Sequence, residues 1–312
     1  MTALAPTIDA PRPLCPPPLA AGARVALVAP AGPLRGADEV ERAVATARRL
    51  GWEPTVGEHA LRHADYFAGT DAERAADLNA ALRDPRVDGV WCLRGGYGAM
   101  RILAAVDWGA LRVRPRALVG YSDVTALHCA AAAEAPGLVT YHGPTARAPL
   151  TAFSERSFLA AVRADGQPCG VAPAARTLRS GLAAGRLAGG NLALLAALAG
   201  TPWAPRFDGA IVVLEDVNEA TYRVDRMLRQ LLLANAFAGC RAIAFGHCSA
   251  CPEECEDDGR RTLADVVREV ADELRVPAVL GVPVGHIEEQ WTVPLGARAV
   301  LDADEASLVV EF

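Results

Sequence analysis

From residue 24 onward the chain alternates short apolar runs with longer amphipathic stretches. Residues 25–29 are an uninterrupted apolar run that stops at Pro30-Ala31-Gly32, and 38–50 then repeats apolar positions at helical spacing. The pattern recurs. Residues 71–83 read as a helix, 89–93 as a buried strand ended by Arg94-Gly95-Gly96-Tyr97-Gly98, 99–106 as a helix and 117–120 as a strand. Strands alternating with helices predict an α/β fold with a mostly parallel sheet covered by helices. In such sheets ligands gather at the carboxyl ends of the strands, so the polar, glycine-containing turns after Leu93 and Gly120 are where chemistry is expected.

The spacing further predicts helices over 154–162, 191–198, 223–233 and 263–274, and strands over 211–214, 242–245, 277–282 and 298–310. Residues 1–20 are rich in proline and read as an extended, poorly ordered lead-in. A first α/β domain is then expected over 21–164. Residues 165–188, rich in Gly, Ala and Pro with weak periodicity, read as a connection. A second, smaller domain, α/β or barrel-like, is expected over 189–312.

Composition narrows the chemistry. The 312 residues are 52% hydrophobic and 22% charged, which is globular composition. All 31 basic residues are arginine, and without lysine there is neither a Schiff-base lysine nor a P-loop. The formal charge of −6 and the scattering of arginines among acids argue against a nucleic-acid partner. A small or peptidic ligand is expected instead. No apolar run is long enough for a membrane span, and the N-terminus lacks a basic start, so a cytoplasmic location is expected. The eight cysteines do not suggest a secreted disulfide framework in a chain this long, and reduced thiols are the expectation. His247, Cys248, Cys251 and Cys255 raise zinc, but no second C-x-x-C pair completes a usual ligand set, so no metal is expected.

At 120–123, Gly-Tyr-Ser-Asp, a strand runs into a serine and a helix follows, predicted over 123–133. Such an elbow lifts a hydroxyl from the top of a sheet and sets it at a helix N-terminus, where free amides stabilise an oxyanion. Val124 replaces the second glycine of G-x-S-x-G, and Ser122 or Asp123 could equally serve only as a helix cap. Of the six histidines, His286 lies in a loop able to present an imidazole, although a loop histidine can also be merely solvated. Glu215 follows the apolar strand 211–214, where it could orient that imidazole or cap the next helix. Ser122, Glu215 and His286 stand at three strand ends, in an order compatible with a triad. The RGGYG turn lacks dinucleotide-loop spacing, and its glycines would instead let backbone amides approach a substrate carbonyl.

RGGYG at 94–98, GYSDVTALH at 120–128, GGNLALLAALAGTP at 189–202, LEDVNEATYRVDRML at 214–228 and GHIEEQWTVPLGA at 285–297 together resemble the LD-carboxypeptidase family of serine peptidases. The resemblance covers nearly the whole chain after residue 23. It implies an N-terminal domain bearing nucleophile Ser122, a C-terminal domain supplying Glu215 and the general base His286, no cofactor, and commonly a homodimer. It also implies an oxyanion hole from the amides of Gly96 and Asp123. The expected substrate is a peptidoglycan tetrapeptide cut between the L-centre of its diamino acid and terminal D-Ala. By position alone, Arg94 and Arg223 are candidates for the substrate carboxylate, or else ion-pair residues. A branch of the same family that cleaves peptide–nucleotide conjugates for self-immunity is the alternative, and a non-catalytic binding module a third. The chain departs from the pattern in three places: Ile287 stands where glycine usually follows the histidine, and the Pro-rich start and the Cys248/Cys251/Cys255 cluster are additional.

Overall fold

The computed structural model describes residues 13–251 and 261–312. In chain order these form β1 (Arg24–Val28), α1 (Ala37–Arg49), β2 (Glu53–Val56), α2 (Asp71–Arg83), β3 (Gly89–Cys92), α3 (Ala99–Ile102), α4 (Trp108–Val113), β4 (Ala117–Gly120), α5 (Thr125–Glu134), β5 (Thr140–His142) and α6 (Ala152–Arg163). There follow β6 (Arg176–Arg179), β7 (Leu182–Asn191), α7 (Leu192–Ala197), β8 (Ala210–Val217), α8 (Thr221–Leu233), β9 (Ala242–Ser249), α9 (Leu263–Leu274), β10 (Ala278–Leu280), β11 (Val293–Leu295), β12 (Arg298–Asp302) and β13 (Ser307–Glu311). The described residues divide into two compact units, one of 13–168 with 292–294, the other of 169–291 with 295–312.

The first unit is built on a six-stranded sheet in the order β11-β5-β4-β3-β1-β2. Strands β2, β1, β3, β4 and β5 run parallel. β3 and β4 are buried along their whole length, which is why they read as continuous apolar runs rather than as alternation. Their core is aromatic: Trp91 stacks on Phe158 at 4.9 Å, and Trp52 meets both rings edge-on at 5.7–5.8 Å. The strand order reverses between β1 and β3, the topological switch where a parallel sheet opens a crevice at its carboxyl edge. Helix α2 starts with a capping box in which Thr70 and Glu73 satisfy each other's amides, so its register is set from its first turn.

The second unit holds a seven-stranded mixed sheet, β13-β12-β7-β8-β9-β10-β6. β7, β8, β9 and β10 are parallel, while β12, β13 and β6 join antiparallel. The α/β class and two-domain organisation read from the sequence agree with this architecture.

Several boundaries differ from expectation. The expected connection over 165–188 is structured: β6 and most of β7 lie within it, and the units divide after Pro168. β7 was illegible because its glycines admit close backbone contact instead of presenting alternating apolar side chains; a side chain at Gly185 would meet Gly209 O at 2.6 Å. The lead-in also needs correction. Residues 1–12 lie outside the described residues, but from Pro13 the chain is pinned to the first unit: the Leu14 amide donates to Gly137 O (2.8 Å) and the Leu19 amide to Val162 O (2.9 Å). Leu19 is 1% exposed and its carbonyl accepts from Trp52 Nε1. The helix expected over 99–106 ends at Ile102, followed by a 3-10 turn at 103–105. No helix among the described residues is long and apolar enough to cross a membrane.

Leu19→Ala is expected to destabilise the protein by about 3 kcal/mol, the ordinary cost of truncating a buried leucine. Urea unfolding measures it, and a change below about 0.5 kcal/mol would mean the segment is not docked.

Candidate active site

In the first unit, three strand ends converge. After β4, Tyr121 remains extended and Ser122 turns left-handed at φ 63°. A left-handed non-glycine residue costs about 1–2 kcal/mol and persists only where its surroundings hold it. Gly95 holds it here: a side chain at that position would stand 2.9 Å from Ser122 Cβ and 3.2 Å from its Oγ. The carbonyl of Gly95 in turn accepts from the amide of Gly32 at 2.9 Å, which ties in the loop after β1. Gly96 follows with φ 101°, a conformation that favours glycine. A 3-10 turn over Ser122–Val124 precedes α5, so the long helix begins at Thr125, two residues later than its sequence pattern predicts.

The incomplete elbow motif has a steric explanation. A side chain at Gly120 would lie 2.9 Å from both methyls of Val124 and 3.1 Å from Cys92 Cβ. Bulk at 124 therefore fills the space left empty at 120. Behind the elbow, the buried His128 donates from Nε2 to the Gly120 carbonyl at 2.8 Å, and burial pulls its imidazole down to about 4, so it stays neutral. The Asp123 carboxylate accepts from the Ala99 amide at 2.7 Å, and burial pushes it up to about 6. Arg94 is partly buried, donates to Pro33 O, and lies in the field of Arg147 and Glu39; burial and then Arg147 lower its guanidinium from the ordinary value.

In the second unit, Glu215 ends the apolar part of β8 and is 0% exposed. His286, in the loop after β10, places Nδ1 2.9 Å from Glu215 Oε2. A carboxylate can only accept, so Nδ1 is the donor of this bond. The approach depends on Gly285 at φ 125°, where a side chain would stand 3.1 Å from both Glu215 Cβ and His247 O. Next along β8, Asp216 accepts from Asn191 Nδ2 (3.1 Å), the Val217 amide (2.8 Å) and the Ala193 amide (2.9 Å), tying β8 to the start of α7. Burial, with the Glu215 charge beside it, pushes Asp216 up to about 6.

Of the residues singled out from sequence, Ser122, Gly96, Asp123 and Arg94 thus sit at one sheet edge of the first unit, and Glu215 and His286 are bonded in the second. Arg223 lies on the exposed surface of α8, paired with Glu219 at 3.6 Å and set over the Tyr222 ring. The expectation of reduced thiols is corrected for one pair: Cys248 and Cys251 form a disulfide, because the turn after β9 brings the two together with Cα atoms 5.7 Å apart. Cys255 lies outside the described residues. Among the described residues no group of three or more His, Cys, Asp or Glu is placed to hold a metal ion. The roles of Gly32, Arg74 and Asp216 were not read from the sequence. Only Asp216 carried a visible signal, its place directly after Glu215.

Residues 25–143 match the family model of the LD-carboxypeptidase N-terminal domain, and 184–301 that of the LD-carboxypeptidase C-terminal domain. A putative carboxypeptidase of Streptomyces coelicolor is 42% identical over 301 residues, covering 94% of each chain. The murein tetrapeptide carboxypeptidase of Pseudomonas aeruginosa is 36% identical over 298 residues, covering 90% of this chain and 94% of the relative. Among solved structures, the microcin C7 self-immunity protein of Escherichia coli superposes with a TM-score of 0.85 at 26% identity, over 96% of this chain and 99% of that one.

A carboxyl held near 6 instead of 3.8 disfavours the folded state by about 3 kcal/mol at neutral pH. The folded state binds the proton first, so this penalty is relieved as pH falls from 6 towards 4, and stability gains from Asp216 on acidification. Asp216→Asn should remove that gain. Urea unfolding at pH 4.5 and 7 measures it, and an unaltered pH slope would show that Asp216 is solvated.

Proposed function

Because this chain belongs to the LD-carboxypeptidase family, we propose that it is a serine-type carboxypeptidase that releases terminal D-Ala from peptidoglycan tetrapeptides at the L-centre of the diamino acid. The observation that carries the reading is the left-handed Ser122 seated on Gly95 at the carboxyl edge of the first sheet. In this mechanism His286 Nε2 takes the Ser122 hydroxyl proton, and Glu215 holds the other ring nitrogen and stabilises the imidazolium that forms. Ser122 Oγ attacks the carbonyl before D-Ala. The amides of Gly96 and Asp123 stabilise the oxyanion, each such donor supplying about 3 kcal/mol. The amine departs with the proton from His286, and water then repeats the sequence to free the acyl group. No cofactor takes part. Arg94 is assigned to the substrate carboxylate on its place beside Gly95, whereas the surface pair of Arg223 with Glu219 favours an ion-pair role for that residue. The enzyme is proposed to act as a cytoplasmic homodimer, and the named activity of the Pseudomonas relative supports the murein substrate.

A second reading, cleavage of a peptide–nucleotide conjugate, is favoured by two observations: the likeness to the self-immunity protein, and an exposed aromatic pair beside the glycine loop. Tyr97 is 48% and Tyr66 62% exposed, with ring centres 5.8 Å apart, and such faces can stack a base.

Mass spectrometry of wild type and Ser122→Ala with tetrapeptide, pentapeptide and an acyl-sulfamoyl adenosine conjugate tests both. Loss of one D-Ala from the tetrapeptide alone is expected, with turnover reduced at least ~10³-fold by Ser122→Ala or His286→Ala. Cleavage of the conjugate alone would establish the second reading. A Ser122→Ala enzyme as active as wild type would sink the assignment of the nucleophile.

A further inference from the structure

Among the described residues, Arg74 is an arginine whose side chain is completely enclosed at the carboxyl edge of the first sheet, and nothing in the mechanism above uses it. It projects from the first turns of α2 with 0% of its side chain exposed. A buried guanidinium is costly unless its donors are satisfied. Here Nη1 donates to Pro30 O at 2.6 Å and to Gly98 O at 2.8 Å and Nη2 bonds Asp71, while the buried Nε makes no hydrogen bond. The Phe67 ring lies 4.9 Å from the guanidinium carbon. Pro30 belongs to the loop after β1 and Gly98 to the loop after β3, so one side chain joins two strand ends. Gly98, at φ 133°, has to be glycine for this: a side chain there would meet Nη1 at 2.8 Å.

The next peptide is held from the other direction. Ala99 N–H donates to the Asp123 carboxylate, on the residue directly after Ser122. At the opposite end of the same loop, Gly95 O is held by the amide of Gly32. The span from Gly95 to Ala99 is therefore pinned at both ends, with Gly96 between the pins. A loop containing three glycines has large conformational freedom when unpinned, and an oxyanion donor is effective only if its direction is set before reaction.

We propose that Arg74 and the Asp123 side chain are positioning residues that fix the 95–99 loop against the Ser122 elbow and so aim the Gly96 amide. The structural half of this inference stands by itself. The consequence for rate rests on the carboxypeptidase reading. It makes a specific demand: the pins act on a group that binds only the transition state, so losing them lowers kcat and leaves KM nearly unchanged.

The test uses the full chain as wild type, Arg74→Met, Arg74→Lys and Asp123→Asn, with hydrogen-exchange mass spectrometry and D-Ala release kinetics. Arg74→Met is expected to speed exchange of peptides covering 94–101 about tenfold or more, while peptides from β1, β3 and β4 keep their protection. In the same variant kcat should fall about 10²-fold, as for loss of one oxyanion donor, with KM within about threefold. Arg74→Lys, which keeps a charge but lacks the second nitrogen that bonds Asp71, should fall between. If Arg74→Met does not fold, Asp123→Asn carries the same two readouts, because it preserves volume and weakens the hold on the Gly98 and Ala99 amides. Unchanged exchange over 94–101 overturns the clamp whatever the activity. Faster exchange with unchanged kcat overturns the positioning role. If wild type releases no D-Ala, the carboxypeptidase reading fails and the exchange result still decides whether the clamp exists.

Discussion

The close approach of Ser122 to Gly95 is the contact on which the carboxyl edge of the first sheet depends. The serine occupies a backbone conformation that its own side chain disfavours, and it can do so only because the facing residue has no side chain at all. From that contact the constraints spread outwards: Gly95 O is held from the loop after β1, Gly98 O from α2, and Ala99 N from the residue after the serine. Each bond is ordinary. Their shared effect is that the turns after β1, β3 and β4 cannot be displaced independently.

The second unit reaches a comparable result with charge. Glu215 is a fully enclosed carboxylate, and its bond to His286 makes Nδ1 the donor and fixes how the ring is turned. Its neighbour Asp216 joins β8 to the start of α7 through two hydrogen bonds, from Asn191 and Ala193. Two adjacent acids thus have separate duties because strand alternation points them in different directions. Asp123 and Asp216 both sit well above the usual carboxylate range through burial, so folding energy is given up to hold loops in place.

Much of this was legible in the residues. β1, β3, β4, β8 and β9 are apolar runs bounded by polar turns, and a buried parallel sheet leaves that trace because both of its faces are covered. Ser122, Glu215 and His286 were singled out because each stands close after such a run or after a glycine. What stayed hidden shares a different physics. β7 is shaped by glycines that admit neighbouring backbone, which removes the periodicity a strand is recognised by. The docking of residues from Pro13 on depends on amide bonds to Gly137 and Val162, contacts distant in sequence. Arg74 looks like one more charge on an amphipathic helix, and only the fold shows that its side chain points inward. The Cys248–Cys251 bond follows from the turn after β9, which composition does not report.

The complementary sizes at Gly120 and Val124 bear on how such elbows can change over time. Removing the methyls of Val124 while 120 stays glycine opens a void beside the nucleophile, and adding a methyl at 120 while 124 stays valine forces a clash. A change at either position is therefore felt at the other, and an elbow with glycine at both leaves its space to be filled by some other side chain. A search pattern that demands glycine on both sides of the serine passes over chains of this kind.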